Sequence, residues 1–155
     1  MYTILFVCTG NQFRSPIAAE VFREQLVRDG QSSNWQVNSA GTWTTAGLRA
    51  PLDAIKLARS FGVNIESHST RALDQGLLEA ADMILVMETG HKESIQVEFP
   101  FARNKVYLLS QVLEGVAYDI PDPASSSGEA REIIRELVEM VRKGAGQIYQ
   151  LVEKQ

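Results

Sequence analysis

The chain of 155 residues contains few of the residues on which metal centres and disulfides depend. Its single cysteine excludes an internal disulfide and a cysteine-rich zinc site, and its two histidines leave little for a metal cluster. Positive charge is not in excess either, because the formal net charge is -4, which gives no general attraction to nucleic acid or to an anionic membrane. We therefore expect no metal, no cofactor and no nucleic-acid or membrane partner.

Long hydrophobic runs and a basic leader are also missing. No stretch approaches the length that spans a membrane, and Met1-Tyr2-Thr3 leads directly into an apolar run without a basic segment. A cytoplasmic location is the default expectation. The 155 residues, 45% of them hydrophobic, fit one globular domain over residues 1–155 with a substantial buried core.

Apolar runs alternate with helical patterns along the chain, which favours a parallel sheet covered by helices on both faces. The runs predict strands at residues 3–7, 35–40, 83–87 and 106–109. Residues 118–128 contain two prolines and many small polar residues, so they are expected to be irregular. The predicted architecture is α/β, with three α/β/α layers around a four-stranded parallel sheet, doubly wound and flavodoxin-like or Rossmann-like, with its ligand site beyond the carboxyl ends of the strands.

Three helix features are predicted from residue type alone. Ser15 is expected as the N-cap of the first long helix, with Pro16 as its first helical residue. Thr89 is expected to cap the helix that follows the third strand. The last helix has a weak point at residues 144–146, where two glycines occur.

The segment between the first strand and the first helix reads Cys-Thr-Gly-Asn-Gln-Phe-Arg-Ser-Pro at residues 8–16. Loop amides and the free N–H groups of a helix start can face one concavity, which makes an anion-binding nest. Gly10 permits a sharp backbone path, Asn11 tolerates a left-handed conformation, and Arg14 adds a planar fork that matches phosphate oxygens. The same groups favour the thiolate form of Cys8, so a nucleophile and a phosphate site coincide. The predicted phosphate-binding residues are Thr9, Gly10, Asn11, Gln12, Phe13, Arg14 and Ser15.

Breakdown of a phosphate ester also requires a proton donor for the leaving oxygen, and a carboxylic acid is the expected group. Residues 118–128 supply two candidates, Asp119 and Asp122. Their residue type leaves both open, since either can also be a turn residue that hydrogen-bonds its own backbone.

The signature at residues 7–16 resembles that of the low-molecular-weight protein tyrosine phosphatases, in a bacterial-type form, and the likeness extends over essentially the whole chain. The resemblance implies that Cys8 is the nucleophile, that Arg14 binds the phosphoryl group, and that Asp122, in the pair Asp122-Pro123, is the general acid. It implies no metal and no cofactor. Phe13 departs from the family, which usually has a second cysteine at this position.

The resemblance also implies supporting roles. Ser15 would donate to the Cys8 thiolate, and Asn11 would brace the loop through Ser39 and His68. Trp43 would line the substrate rim together with Gln12, although its residue type fits a position at the edge of the core equally well.

The predicted function is hydrolysis of phosphotyrosine in proteins through a phosphocysteine, with inorganic phosphate as product, by a monomer or weak dimer. Gln12 stands where tyrosine phosphatases are usually aliphatic and where the related protein-arginine phosphatases have threonine, so a protein-arginine phosphatase is the alternative. A thiol-coupled arsenate reductase would need further cysteines, which the chain lacks. A phosphoprotein-binding module without catalysis would gain nothing from a nucleophile.

Overall fold

The computed structural model describes residues 1–125 and 128–155. Its four strands are β1 (Tyr2–Cys8), β2 (Trp35–Gly41), β3 (Met83–Val86) and β4 (Val106–Leu108). They form one parallel sheet in the order β2-β1-β3-β4, which confirms the predicted fold class. The apolar β1 and β3 are central, and the more polar β2 lies at an edge.

The described residues form six α-helices, of which the first four lie between strands and the last two follow β4. They are α1 (Arg14–Arg28), α2 (Leu52–Ser60), α3 (Gln75–Ala80), α4 (Thr89–Glu98), α5 (Leu109–Glu114) and α6 (Ala130–Glu153). Short 3-10 segments occupy Ser32–Asn34, Pro100–Lys105 and Pro123–Ser125. Within the described residues, no helix is both long enough and apolar enough to cross a membrane.

Alternating residues along the central strands divide the core between two faces of the sheet. On one face, Ile4 and Phe6 of β1 pack with buried residues of α1, α2, α5 and α6. On the other face, Leu5 and Val7 pack with Leu78 of α3 and residues of α4. This alternation follows from the two-residue period of a strand and gives the predicted three layers.

Three local predictions differ from the structure. Helix α1 begins at Arg14, so Ser15 lies inside the first turn and does not cap the helix through its side chain. The N-cap of α4 is Glu88 and not Thr89, because a capping box joins Glu88 with His91. In its described residues, 118–125 and 128, the predicted irregular segment contains one 3-10 turn, at Pro123–Ser125, and residues 126 and 127 of that prediction lie outside the described part of the chain.

The predicted weak point in the last helix does not interrupt it, since α6 is continuous over 24 residues. A Cβ added to Gly144 would lie 2.9 Å from Cβ of Leu113, so the missing side chain allows α5 to approach α6. Gly146 is exposed, and an added Cβ would meet no atom within 4 Å. The two glycines therefore occur for different reasons.

We expect Gly144→Ala to lower the free energy of unfolding by about 1–3 kcal/mol, and the thermal midpoint with it, because the overpacking of Leu113 outweighs the gain in helix propensity. The matched variant Gly146→Ala is expected to raise the free energy of unfolding by about 0.5–1 kcal/mol, because alanine is the better helix former and no neighbour must move. Thermal unfolding followed by circular dichroism measures both. Equal effects of the two substitutions would contradict the close packing at Gly144.

Candidate active site

The loop after β1 is fixed by the end of β2. The amide of Thr42 donates to the carbonyl of Cys8, and the amide of Trp43 donates to the carbonyl of Thr9, both at 3.0 Å. A Cβ on Gly41 would lie 2.5 Å from the oxygen of Thr9, so only glycine allows the two segments to approach this closely. Gly10, by contrast, has no positive φ, and a Cβ there would meet only the side chain of Gln12, at 3.9 Å.

Asn11 is the centre of the loop, and it is fully buried with a φ of 55°. Its Nδ2 donates to the hydroxyls of Ser15 at 2.8 Å and Ser39 at 3.0 Å, and its Oδ1 accepts the amide of Arg71 at 2.9 Å. Its carbonyl accepts from Nε2 of His68 at 2.7 Å. The residue type predicts the left-handed conformation, and these four hydrogen bonds to the side-chain amide and the carbonyl of Asn11 stabilise it.

Cys8 lies at the base of the loop, with 2% of its surface exposed. Its Sγ is 3.0 Å from Oγ of Ser15. Because this oxygen already accepts a hydrogen from Asn11, the single hydroxyl hydrogen of Ser15 is available to donate to the sulfur. Placement of Ser15 inside the first helical turn brings its hydroxyl to this position.

Arg14 is also 2% exposed, and Nη1 is the guanidinium nitrogen that binds other described residues. Its Nη1 donates to Oε2 of Glu88 at 2.5 Å and to the carbonyl of Ile120 at 2.7 Å. Nε and Nη2 have no hydrogen-bond partner in residues 1–125 and 128–155. The ion pair compensates the buried positive charge, and the carbonyl bond joins the loop to the segment that carries Asp122.

Glu88 and His91 were missed by the sequence analysis. Both follow β3 directly, as Cys8 ends β1, so their position beyond the carboxyl end of a central strand was the available signal. Nδ1 of His91 accepts the amide of Glu88 at 3.1 Å, which places the proton of the neutral ring on Nε2. That nitrogen lies 2.8 Å from the hydroxyl of Thr9 and donates to it.

Burial lowers the pKa of both histidines. For His91 the charge of Arg14 lowers the pKa further, while Glu88, Asp119 and Asp122 oppose the shift. For His68 burial is again the main cause, and the bond to the Asn11 carbonyl opposes it. Both rings therefore stay neutral to a lower pH than an ordinary histidine does.

The two candidate acids occupy different environments. Asp119 accepts the amide and the hydroxyl of Thr89, both at 2.8 Å, so it serves the first turn of α4. Asp122 is half-buried, accepts the amide of Ala124 at 3.0 Å, and lines the same pocket as Cys8.

The pocket over Cys8 has a volume of about 160 Å³. It is lined by Cys8, Gly10, Gln12, Phe13, Arg14, Pro51, Asp53, Asp122 and Ala124. Of the two predicted rim residues, Gln12 is in this wall. Trp43 is 84% exposed, so a position at the core edge is wrong, and it lines a neighbouring depression with residues 41–45 and 72–73. Pro51 and Asp53, at the start of α2, were not anticipated.

Residues 3–155 match the family model described as low molecular weight phosphotyrosine protein phosphatase. Among relatives, a protein-arginine-phosphatase of Geobacillus stearothermophilus is 34% identical over 138 residues, which cover 89% of this chain and 89% of that protein. The low molecular weight protein-tyrosine-phosphatase Etp of Escherichia coli K12 is 34% identical over 137 residues, covering 88% of this chain and 87% of Etp.

Among solved structures, a variant of the YwlE arginine phosphatase with a phosphorylated active-site serine is similar at a TM-score of 0.87. It is 32% identical and covers 96% of this chain, which in turn covers 96% of that structure. The similarity therefore spans both chains almost completely.

The neutral state of His91 generates a prediction about pH. The fold lowers its pKa, so the neutral ring contributes stability that is fully present above the ordinary pKa of about 6.5 and is lost as pH falls toward the lower folded value. We expect the free energy of unfolding to fall less steeply with decreasing pH in His91→Asn, with a difference in slope of at most about 1.4 kcal/mol per pH unit. Denaturant unfolding between pH 7.5 and 5 measures it, and parallel pH profiles of the two proteins would contradict the neutral ring.

Proposed function

The chain belongs to the low molecular weight protein-tyrosine phosphatase family, whose members are cysteine-dependent enzymes, and we propose on that basis that it hydrolyses phosphotyrosine in proteins through a phosphocysteine on Cys8. The observation that carries the proposal is the wall of one pocket, which contains Cys8, Arg14 and Asp122 together. A nucleophile, a cation for the phosphoryl group and an acid for the leaving group are the three parts that such a reaction needs.

In the first step, the sulfur of Cys8 attacks phosphorus, a sulfur–phosphorus bond forms and the bond to the phenolic oxygen breaks. Asp122 in its acid form gives its proton to the departing phenolate, so phenol leaves and the carboxylate remains. Ser15 donates a hydrogen bond to the sulfur that attacks.

In the second step, the Asp122 carboxylate takes a proton from water as the water oxygen attacks phosphorus. The sulfur–phosphorus bond breaks, which restores the Cys8 thiolate and releases inorganic phosphate. The unpartnered side of the Arg14 guanidinium and the loop amides stabilise the charge of the equatorial oxygens in both steps. This chemistry needs no metal or cofactor.

A phosphorylated protein is the partner this reaction requires. A cytoplasmic location suits the proposal, because an enzyme that depends on its one thiol needs a compartment that keeps thiols reduced. Residues 1–155 form a single domain in this proposal, and the enzyme acts as a monomer or weak dimer.

A protein-arginine phosphatase is the second candidate, and the composition of the pocket wall favours it. Asp53 and Asp122 both line the pocket, so its mouth has two carboxylates that are complementary to a cationic guanidinium leaving group. Gln12 adds a polar amide where an aromatic leaving group would favour an apolar contact.

The proposal is tested by comparing kcat/KM for matched phosphotyrosine and phosphoarginine peptides, with EDTA present. We expect release of inorganic phosphate from both, a higher kcat/KM for phosphotyrosine, and no turnover by Cys8→Ser. A higher value for phosphoarginine would replace the first candidate with the second. Peptide binding without phosphate release by the wild type would identify a phosphoprotein-binding module instead.

We expect Asp122→Asn to lower kcat for phenyl phosphate by about 10²-fold or more, because the poor leaving group then departs without a proton. The loss is expected to be smaller for p-nitrophenyl phosphate, whose leaving group needs less protonation. Steady-state kinetics with the two substrates measures both losses.

The matched control is Asp119→Asn, which changes the same type of carboxylate three residues away. It is expected to weaken the first turn of α4, costing about 0.5–2 kcal/mol of stability, with kcat changed only a few-fold. If Asp119→Asn showed the large leaving-group dependence and Asp122→Asn did not, the acid would be Asp119.

A further inference from the structure

A polar cavity of about 300 Å³ lies behind the loop and shares no lining residue with the pocket over Cys8. Its walls come from α1, from β2 and from residues 64–71. His68 and Ser39, which both hydrogen-bond Asn11, belong to these walls. The cavity therefore adjoins the residues that hold the loop, and its lining residues are distinct from those of the pocket.

Two arginines, Arg23 and Arg71, line this cavity. Arg23 donates to the carbonyl of Val37 at 2.8 Å and to Glu20 at 2.9 Å, which fixes its position. Arg71 makes only one long side-chain contact in the described part of the chain, to Asn38 at 3.4 Å, so most of its five N–H donors are available. With Glu20 as the one acidic residue among the lining residues, the wall has a net positive charge.

His68 connects the cavity to the loop. Its Nε2 donates to the Asn11 carbonyl, so the neutral ring has its lone pair on Nδ1. Burial and the nearby charge of Arg23 lower its pKa, which keeps the ring neutral while no anion is bound. An anion beside the ring would favour the protonated form and strengthen the bond to Asn11.

We propose that this cavity binds an oxyanion of the phosphate class between Arg23 and Arg71, next to His68, as a second anion site separate from the pocket over Cys8. A guanidinium group matches the geometry of phosphate oxygens, and both arginines line this cavity together with Ser67 and Ser69, whose hydroxyls are further donors. An anion bound in the cavity would affect the loop through one hydrogen bond, from Nε2 of His68 to the carbonyl of Asn11. The site does not depend on the proposed reaction.

The chain offers a direct test, because its two histidines report on different sites. His91 contacts Thr9 and lies near Glu88, which binds Arg14 of the pocket over Cys8, whereas His68 lines the cavity. Inorganic phosphate is titrated into the protein while NMR follows the ring C–H signals of both. We expect two separate saturation curves, with a His68 midpoint that differs from the His91 midpoint.

Charge-removing variants identify the site. Arg71→Gln keeps the backbone amide that binds Asn11. It is expected to raise the phosphate concentration at the His68 midpoint at least about tenfold, with the His91 curve unchanged. Arg23→Gln is expected to do the same. Arg28→Gln is the matched control, since Arg28 is an exposed residue of α1 outside the cavity, and it is expected to leave both curves unchanged.

The source of the phosphate group is distinguished by a second titration, with ribose 5-phosphate, in a Cys8→Ala background, which has no nucleophile at this position. Tighter binding of the ester at His68 would identify a small organic phosphate as the ligand, and tighter binding of inorganic phosphate would identify the free ion. One midpoint shared by His68 and His91 for both ligands, or a His68 midpoint that Arg71→Gln leaves unchanged, would overturn the proposal.

Discussion

The left-handed conformation of Asn11 is the constraint on which the candidate site depends. A non-glycine residue with a φ of 55° is uncommon, and here four hydrogen bonds from separate parts of the chain hold it. The Asn11 amide that donates to Ser15 leaves the serine hydrogen available for Cys8, so the backbone conformation of Asn11 and the hydrogen bond to the sulfur are coupled. Only Ser15 lies between Asn11 and the sulfur in this chain of hydrogen bonds, so the loss of any one of these contacts would affect Cys8 through Ser15.

Arg14 extends this coupling to the opposite wall. Burial of a guanidinium is costly unless it is paired, and Glu88 together with the Ile120 carbonyl supplies the compensation. Glu88 also caps α4 and Ile120 precedes the segment with Asp122, so one side chain joins the loop, the end of β3 and the acid. The phosphate site and the acid are thus positioned by a shared contact rather than independently.

Several of these groups lie where parallel strands end. Cys8 ends β1, Ser39 and Gly41 lie at the end of β2, and Glu88 follows β3. The sheet order places these three strands side by side, so Arg14 and Glu88, which are 74 positions apart in sequence, meet at one edge. The contact of Gly41 with Thr9, which no side chain would permit, shows how closely β2 must approach the loop.

The sequence by itself determined the alternation of strands and helices, the loop at residues 8–16 and the family, because hydrophobic period and a short contiguous motif are local properties. It also anticipated the left-handed Asn11, since asparagine tolerates that conformation. Only the tertiary structure decided that Asp119 serves α4 while Asp122 faces the pocket, that Trp43 lies outside that pocket, and that Glu88 and His91 belong to the site. Those assignments depend on contacts between distant segments, and residue type cannot specify which of two neighbouring carboxylates turns toward a given strand end.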